Sequence, residues 1–192
     1  MTWNPKGIDE KPTIGFTGVN IQITNFASED SEINGTGNLI IGLNKGATLI
    51  PQTGSANLVI GSDDEYTGYD GIVQGNSNGI ANGDSDAIGG YHNSGSGGGV
   101  TIGGESDITS HDGVAVGGFA NEAVGVLSAI LGGRITDASG EESAVVGGAG
   151  GKATSLYSAV FGGESDEASA QAATAIGGAK VKATKAKEFA HG

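Results

Sequence analysis

The chain has 192 residues, of which 38 are glycine, and its formal net charge at pH 7 is −13. A glycine share so far above the usual value of roughly 7 % argues against an ordinary helical or α/β domain. The acidic balance argues against a nucleic-acid or anionic-membrane partner, and the lack of cysteine excludes disulfide bonds, thiolate metal sites and a cysteine nucleophile.

The first 38 residues show no regular glycine spacing. Pro5, Pro12 and the mixed segment IGFTGVNIQITNF predict an irregular segment with one or two strands, which would attach or cap the repeat domain at 39–192. A flexible tail is the alternative for residues 1–12. We expect the apolar side chains of this segment to be buried, namely Trp3, Ile8, Ile14, Phe16, Ile21, Ile23 and Phe26.

From residue 39 onward, a junction of apolar residues and glycine recurs. A 19-residue first unit is followed by 14-residue units and then by 15-residue units. From Gly89 onward a second glycine follows each junction, which is typical of a turn with positive φ. The first glycines of the junctions are Gly42, Gly61, Gly75, Gly89, Gly103, Gly117, Gly132, Gly147, Gly162 and Gly177.

A unit of this length is too short for a pair of helices. It matches one coil of a parallel β-solenoid, in which strands of successive coils pair about 4.8 Å apart. In the 15-residue units an alanine recurs six positions after the first glycine, which predicts a thin opposite wall. These alanines are Ala123, Ala138, Ala153, Ala168 and Ala183.

The two residues before each glycine are both apolar in most units. Consecutive strand residues point to opposite faces, so a flat roll with one interior buries only one of these two rows. We expect the other row, including Ile130, Val145 and Val160, to be covered by further copies around a three-fold axis. A monomer with a thicker coil is the alternative. The predicted core and trimer-interface residues are Ile130, Leu131, Val145, Val146, Val160, Phe161, Ala175 and Ile176.

The strings GVAVGGFANEAVGVLSAILGG and SAVVGGAGGKATSLYSAVFGGESDEASAQAATAIGG resemble the head repeats of trimeric autotransporter adhesins. The unit of those heads alternates approximately as Ser/Thr-x-Ala-x-Gly, with a period like that of the shorter units here. The resemblance covers residues 39–192. It implies a left-handed parallel β-roll that assembles as a homotrimer.

Those adhesins carry a secretion signal and a C-terminal membrane anchor, and neither is recognisable in this sequence. Similar repeats resemble segments of bacteriophage tail fibres and minor tail proteins, and a chain beginning at Met1 fits that setting. We therefore expect a structural or adhesive virion module of the phage tail that attaches to the host surface. Its partners would be two further copies, other tail proteins, and a cell-surface receptor or glycan. The alternative is the head of a bacterial surface adhesin that binds matrix protein or glycan.

Acidic residues cluster near the glycine turns. We expect them to be solvated, with Ca²⁺ binding as the less favoured reading. The clusters are Asp63, Asp64 and Glu65; Asp84 and Asp86; Glu105 and Asp107; and Glu164, Asp166 and Glu167. The three histidines lie in different units, and none has the spacing of a Ser–His–Asp triad. We therefore predict that the protein is not an enzyme and has no catalytic residues. We also predict no cofactor and no metal.

Receptor contact is expected where side chains protrude from turns, because aromatic rings there would stack on sugars. The candidates are Tyr66, Tyr69, Tyr91, His92 and Phe119, together with the insertion around Pro51 in the first unit. Packing between adjacent chains is the alternative for these aromatics. The last unit contains Lys180, Lys182, Lys185 and Lys187, which we expect to discourage end-to-end strand pairing. A docking surface for an acidic partner or a phosphorylated glycan is the alternative.

Overall fold

The computed structural model of the chain describes residues 1–26, 28–29, 32–43 and 51–192. The described part consists of short strands and turns, with a 3₁₀ segment at Ile8–Glu10. Most of these strands belong to two parallel sheets built from successive coils. The predicted all-β fold with a parallel β-solenoid is confirmed.

The two sheets form the two long walls of the roll. Sheet A contains Leu39–Leu43, Leu58–Ser62, Ile72–Asn76, Asp86–Tyr91, Val100–Ile102, Val114–Val116, Ala129–Leu131, Ala144–Val146, Ala159–Phe161, Thr174–Ile176 and Phe189–His191. Sheet B contains Glu65–Tyr66, Gly79–Ala81, Ser94–Ser96, Ile108–Thr109, Glu122–Ala123, Asp137–Ala138, Lys152–Ala153, Glu167–Ala168 and Lys182–Ala183.

The pairing register follows the glycine spacing. Val59 pairs with Val73 in the shorter units, and Ile130 pairs with Val145 in the longer ones, one coil later in each case. In the first unit Ile40 pairs with Val59, across the longer interval that the glycines predict there. Residues 44–50 of that unit lie outside the described residues. The predicted alignment of the junctions is confirmed.

The interior lies between the two sheets and is one side chain thick on each wall. From Val59 onward, sheet A contributes the second residue before each first glycine, and Ile130, Val145 and Val160 are fully buried there. Sheet B contributes small residues opposite them, so branched side chains on one wall fill the space that alanine leaves on the other. The predicted alanine wall is confirmed, since Ala123, Ala138, Ala153, Ala168 and Ala183 are all 0 % exposed.

Each glycine pair serves the turn in two ways. Gly132 and Gly133 have φ values of 70° and 107°, which side chains rarely adopt. A Cβ on Gly132 would meet nothing within 4 Å, but one on Gly133 would lie 2.9 Å from the side chain of Thr136. The first glycine therefore supplies backbone freedom, and the second also allows close packing against the buried residue beyond the turn.

The N-terminal segment forms a short antiparallel pair between Thr2–Asn4 and Thr13–Gly15. The expectation that its apolar side chains are buried is wrong for the single chain. Trp3 is 65 % and Phe26 is 94 % exposed, and the other members of that set are also exposed. Such short strands bury little surface without a second layer to pack against.

Residues 34–38 hydrogen-bond to the beginning of the solenoid. The backbone N–H groups of Asn34 and Gly35 donate to the Ser55 hydroxyl at 2.8 and 3.0 Å. The Asn57 backbone N–H donates to Asn38 Oδ1 at 2.9 Å. These contacts join the N-terminal segment to the first described coil.

Candidate functional site

The outer surface of sheet A is apolar over most of its length. Two rows of side chains point outward, formed by the first and third residues before each first glycine. In the nearer row Leu131 is 53 %, Phe161 is 43 % and Ile102 is 42 % exposed, and Val116, Val146 and Ile176 continue the row. The farther row contains Leu58, Ile72, Val100, Val114, Ala129, Ala144 and Ala159. The strip is interrupted by polar residues such as Gln74 and Asp86, and exposed apolar patches of this size are typical of interaction surfaces.

The outer surface of sheet B has the opposite character. Its outward positions include Glu65, Ser94, Glu122, Asp137, Lys152, Glu167 and Lys182, with Ile108 as an exposed apolar exception. Lys182 Nζ lies 2.9 Å from Glu167 Oε2 near the C-terminal end of the rod. Such an exposed ion pair contributes roughly 0–1 kcal/mol. The two walls of the roll therefore differ: one is apolar and the other is charged.

The interior and exterior rows are the reverse of the expected arrangement. Ile130, Val145, Val160 and Ala175 are buried inside the single chain, whereas Leu131, Val146, Phe161 and Ile176 face outward. The expectation that Ile130, Val145 and Val160 need cover from another chain is therefore wrong. The outward rows contain Gln74 and Asp86, and strand alternation places polar residues of this kind on the outside. Polar residues in the first and third positions before the glycines therefore indicate that the second position, which lies between them, points inward.

Three of the predicted contact residues lie together at one edge of the rod. The rings of Tyr91 and His92 stack with centroids 3.8 Å apart and planes 26° apart. Tyr91 and Phe119 occupy the same position in coils that Glu105 separates, and both are 43 % exposed. Beside the stack, Asp63, Glu65 and Ser94 contribute to a shallow polar groove. This edge presents aromatic faces next to carboxylates and hydroxyls.

Two other predicted contact residues differ from this edge. Tyr66 is only 4 % exposed, and burial raises the pKa of its hydroxyl, so the expectation that it protrudes is wrong. It pairs with Ile80 in the inward row of sheet B, because in these early units the turn has one glycine and the inward row comes sooner. Tyr69 is half-buried, and its ring lies against Gly83 of the next coil.

A row of buried polar side chains, mostly amides and carboxyls, follows the glycine turns through the interior. Asp64, Asn78, Asn93, Asp107, Asn121 and Thr136 occupy this row, and all are buried. The backbone N–H of each later member donates to the side-chain oxygen of the preceding one, at 2.9 to 3.1 Å. We call this row the polar ladder. Asp166 belongs to the same position further along and is also fully buried.

The polar ladder corrects the expectation for three of the turn acids. Asp64, Asp107 and Asp166 are not solvated, because the turn directs them inward, away from the side on which the neighbouring acidic residues lie. Burial raises the pKa of Asp64 to about 6, against a hydrogen bond from Asn78 that lowers it, and Asp63 adds to the rise. Burial also raises the pKa of Asp107, and hydrogen bonds from Asn121 oppose this.

Within residues 1–26, 28–29, 32–43 and 51–192, no three His, Asp or Glu side chains are placed to hold a metal ion. The same residues include no helix that is long and apolar enough to span a membrane. Comparison with protein-family models, with curated proteins and with solved structures finds no match to this chain.

Proposed function

We propose that this chain is a structural and adhesive module that assembles as a homotrimeric rod, located in a phage tail and involved in attachment to the host surface. The observation that carries the proposal is the apolar outer surface of sheet A. In the assembled rod this surface faces the other two copies, and the charged surface of sheet B faces water.

The energetics favour covering sheet A. Full burial of a large aliphatic or aromatic side chain contributes roughly 1.5–3 kcal/mol, so a half-exposed one gains roughly half of that when a partner covers it. Leu131, Phe161, Ile102 and their neighbours along the rod supply several such gains for each chain. The row repeats at the coil spacing, so copies aligned side by side match along the length of the rod.

The number of copies and the phage setting are supported by the resemblance of residues 39–192 to the head repeats of trimeric adhesins and to segments of phage tail fibres. The proposal includes no catalytic step. Attachment is assigned to the edge formed by Tyr91, His92 and Phe119, where aromatic rings and polar groups adjoin.

Immunogold labelling of purified phage particles tests the setting. We expect gold on the tail, whereas labelling confined to the outer surface of bacteria would contradict the phage role and favour an adhesin head.

Competition for host adsorption tests the attachment edge. Purified wild-type rod should reduce phage adsorption, and Tyr91→Ala should lose this effect. Tyr157→Ala is the matched control, since Tyr157 is 51 % exposed in the other turn of the roll. Equal competition by both variants would contradict the assignment of this edge.

A further inference from the structure

The hydrophobic interior of the rod is divided into two clusters. One contains Val59, Tyr66, Val73, Ile80 and Ala87. The other runs from Ala115 to Ala183. Between them, the inward positions of the two walls are Gly95, Thr101 and Thr109. Coil 100–113 therefore lacks the apolar filling that stabilises the coils on either side.

Polar contacts replace apolar packing inside coil 100–113. The hydroxyls of Thr101 and Thr109 lie 3.0 Å apart, and each is within hydrogen-bond distance of the carbonyl oxygen of Ser94, at 3.3 and 3.5 Å. Two hydroxyls carry two protons, so at most two of these three contacts are hydrogen bonds at one time, each worth about 1 kcal/mol in net terms. The contacts with Ser94 cross to the preceding coil and are lost if the two coils separate, whereas the Thr101–Thr109 contact lies within coil 100–113.

The same coil contributes Asp107 to the polar ladder. Its Oδ1 accepts the backbone N–H of Asn121 at 2.9 Å, but its Oδ2 is buried and has no hydrogen-bond partner among the described residues. The asparagines above and below show what this position requires. Asn93 Nδ2 donates to the carbonyl oxygens of Gly89 and Gly103, and Asn121 Nδ2 donates to those of Gly117 and Gly133.

Asp107 Oδ2 occupies the place that Nδ2 has in the two asparagines. An added Cβ on Gly90 or Gly118 would collide with the amide nitrogen of Asn93 or Asn121, and one on Gly104 would collide with Asp107 Oδ2. In an ionised carboxylate, Oδ1 would keep the hydrogen bond from Asn121, but Oδ2 would have no proton to donate to the carbonyl oxygens that the asparagine amides bind at this position. A protonated carboxyl would donate as the asparagine amide does.

We propose that coil 100–113 is a pH-responsive joint of the rod, closed while Asp107 is protonated and loosened when this carboxyl ionises. The proton on Oδ2 is donated to a carbonyl oxygen of the glycine turns and goes to water when the joint opens. On the N-terminal side of the joint the rod remains one cooperative unit, and on the C-terminal side the longer cluster remains another. The proposal does not depend on the proposed function.

The surroundings of Asp107 leave burial as the dominant influence on its charge. Its ladder neighbours Asn93 and Asn121 are neutral. Burial raises the pKa of Asp107 above its ordinary range, and hydrogen bonds from the backbone and side chain of Asn121 lower it by a smaller amount. Because the closed joint binds the proton more tightly than the open one, its stability is greatest at low pH and falls as pH rises. Other titratable groups of coils 86–128 are Tyr91, His92, Glu105, His111, Asp112 and Glu122, all exposed or at the surface, and the half-buried Asp86.

Hydrogen exchange of the full chain, corrected for intrinsic rates, tests the joint at about pH 4 and pH 8. Each unit by which the closed-state pKa exceeds the ordinary value of about 3.9 corresponds to tenfold in the opening equilibrium. We therefore expect protection of amides in 86–113 to fall between these pH values, about tenfold for each unit by which the closed-state pKa is raised, with a smaller change in 144–161. Asp107→Asn should abolish the difference and raise protection at pH 8.

Two measurements keep the test decisive. Asp112→Asn removes an exposed carboxylate from the same coil and should behave as wild type. The ¹³C shift of the Asp107 carboxyl, followed through a pH titration, should give a pKa above the ordinary range. An ordinary or lowered pKa, or an unchanged pH dependence in Asp107→Asn, would overturn the proposal.

Discussion

Replacement of Asn121 by alanine tests whether the polar ladder stabilises the rod. Asn121 Oδ1 accepts the Thr136 backbone N–H at 3.1 Å and its hydroxyl at 2.7 Å, and Nδ2 donates to the carbonyls of Gly117 and Gly133. Asn121→Ala leaves both the N–H and the hydroxyl of the buried Thr136 without their acceptor, which together costs about 2 kcal/mol. The two long bonds to carbonyls add about 0.5 kcal/mol each, since Gly133 keeps the bond from Phe119.

The expected loss is therefore about 3 kcal/mol in the free energy of unfolding. For a chain of this length it corresponds to a Tm lower by about 6–12 °C. Circular dichroism at one protein concentration measures it, because the Tm of an oligomer depends on concentration. Asn76→Ala is the control, since this exposed asparagine has its side-chain bond only to neighbouring surface hydroxyls such as that of Ser62. A Tm of Asn121→Ala within about 2 °C of wild type would refute the role assigned to the ladder.

Three further substitutions test the fold and its charges. Ile130→Ala should cost about 2–5 kcal/mol in thermal or denaturant unfolding, whereas Ile108→Ala, at a site 42 % exposed, should cost clearly less; equal losses would contradict the inward row. Gly118→Ala should destabilise more than Gly117→Ala, because both glycines have positive φ but only the Cβ at 118 collides with Asn121; the reverse order in melting experiments would contradict the close packing. Because burial raises the folded-state pKa of Asp64 to about 6, wild type should lose stability as pH rises from about 4 to about 6, and Asp64→Asn should remove this loss. A pH profile of stability that is the same in Asp64→Asn as in wild type would contradict the raised pKa.

Much of the fold follows from periodicity in the sequence. Parallel pairing between coils requires equal residues to recur at the coil length, so the glycine spacing predicts the register of Val59 with Val73 and of Ile130 with Val145. The alanine wall follows for the same reason. The pairing register and the position of the alanine wall therefore follow from the repeat length.

Orientation across the strand was harder to predict. Two adjacent apolar rows fit either face, and the choice depended on polar residues in the outward rows, such as Gln74 and Asp86. The expectation for Asp107 is wrong because turn residues are usually exposed, whereas here the residue after the positive-φ position Ser106 points inward. The expectation for Tyr66 is wrong because this residue lies in a strand of sheet B, on its inward face. The exposed N-terminal side chains follow no repeat, and apolar character alone did not fix their environment.

The central claim is that the apolar surface of sheet A is covered by further copies of the chain. Size-exclusion chromatography with light scattering tests it most directly, using wild type and Leu131→Lys, with Ile108→Lys on sheet B as control. We expect a mass three times that of the 18.8 kDa chain for wild type and control, and dissociation of Leu131→Lys. A folded wild-type monomer of 18.8 kDa would contradict it.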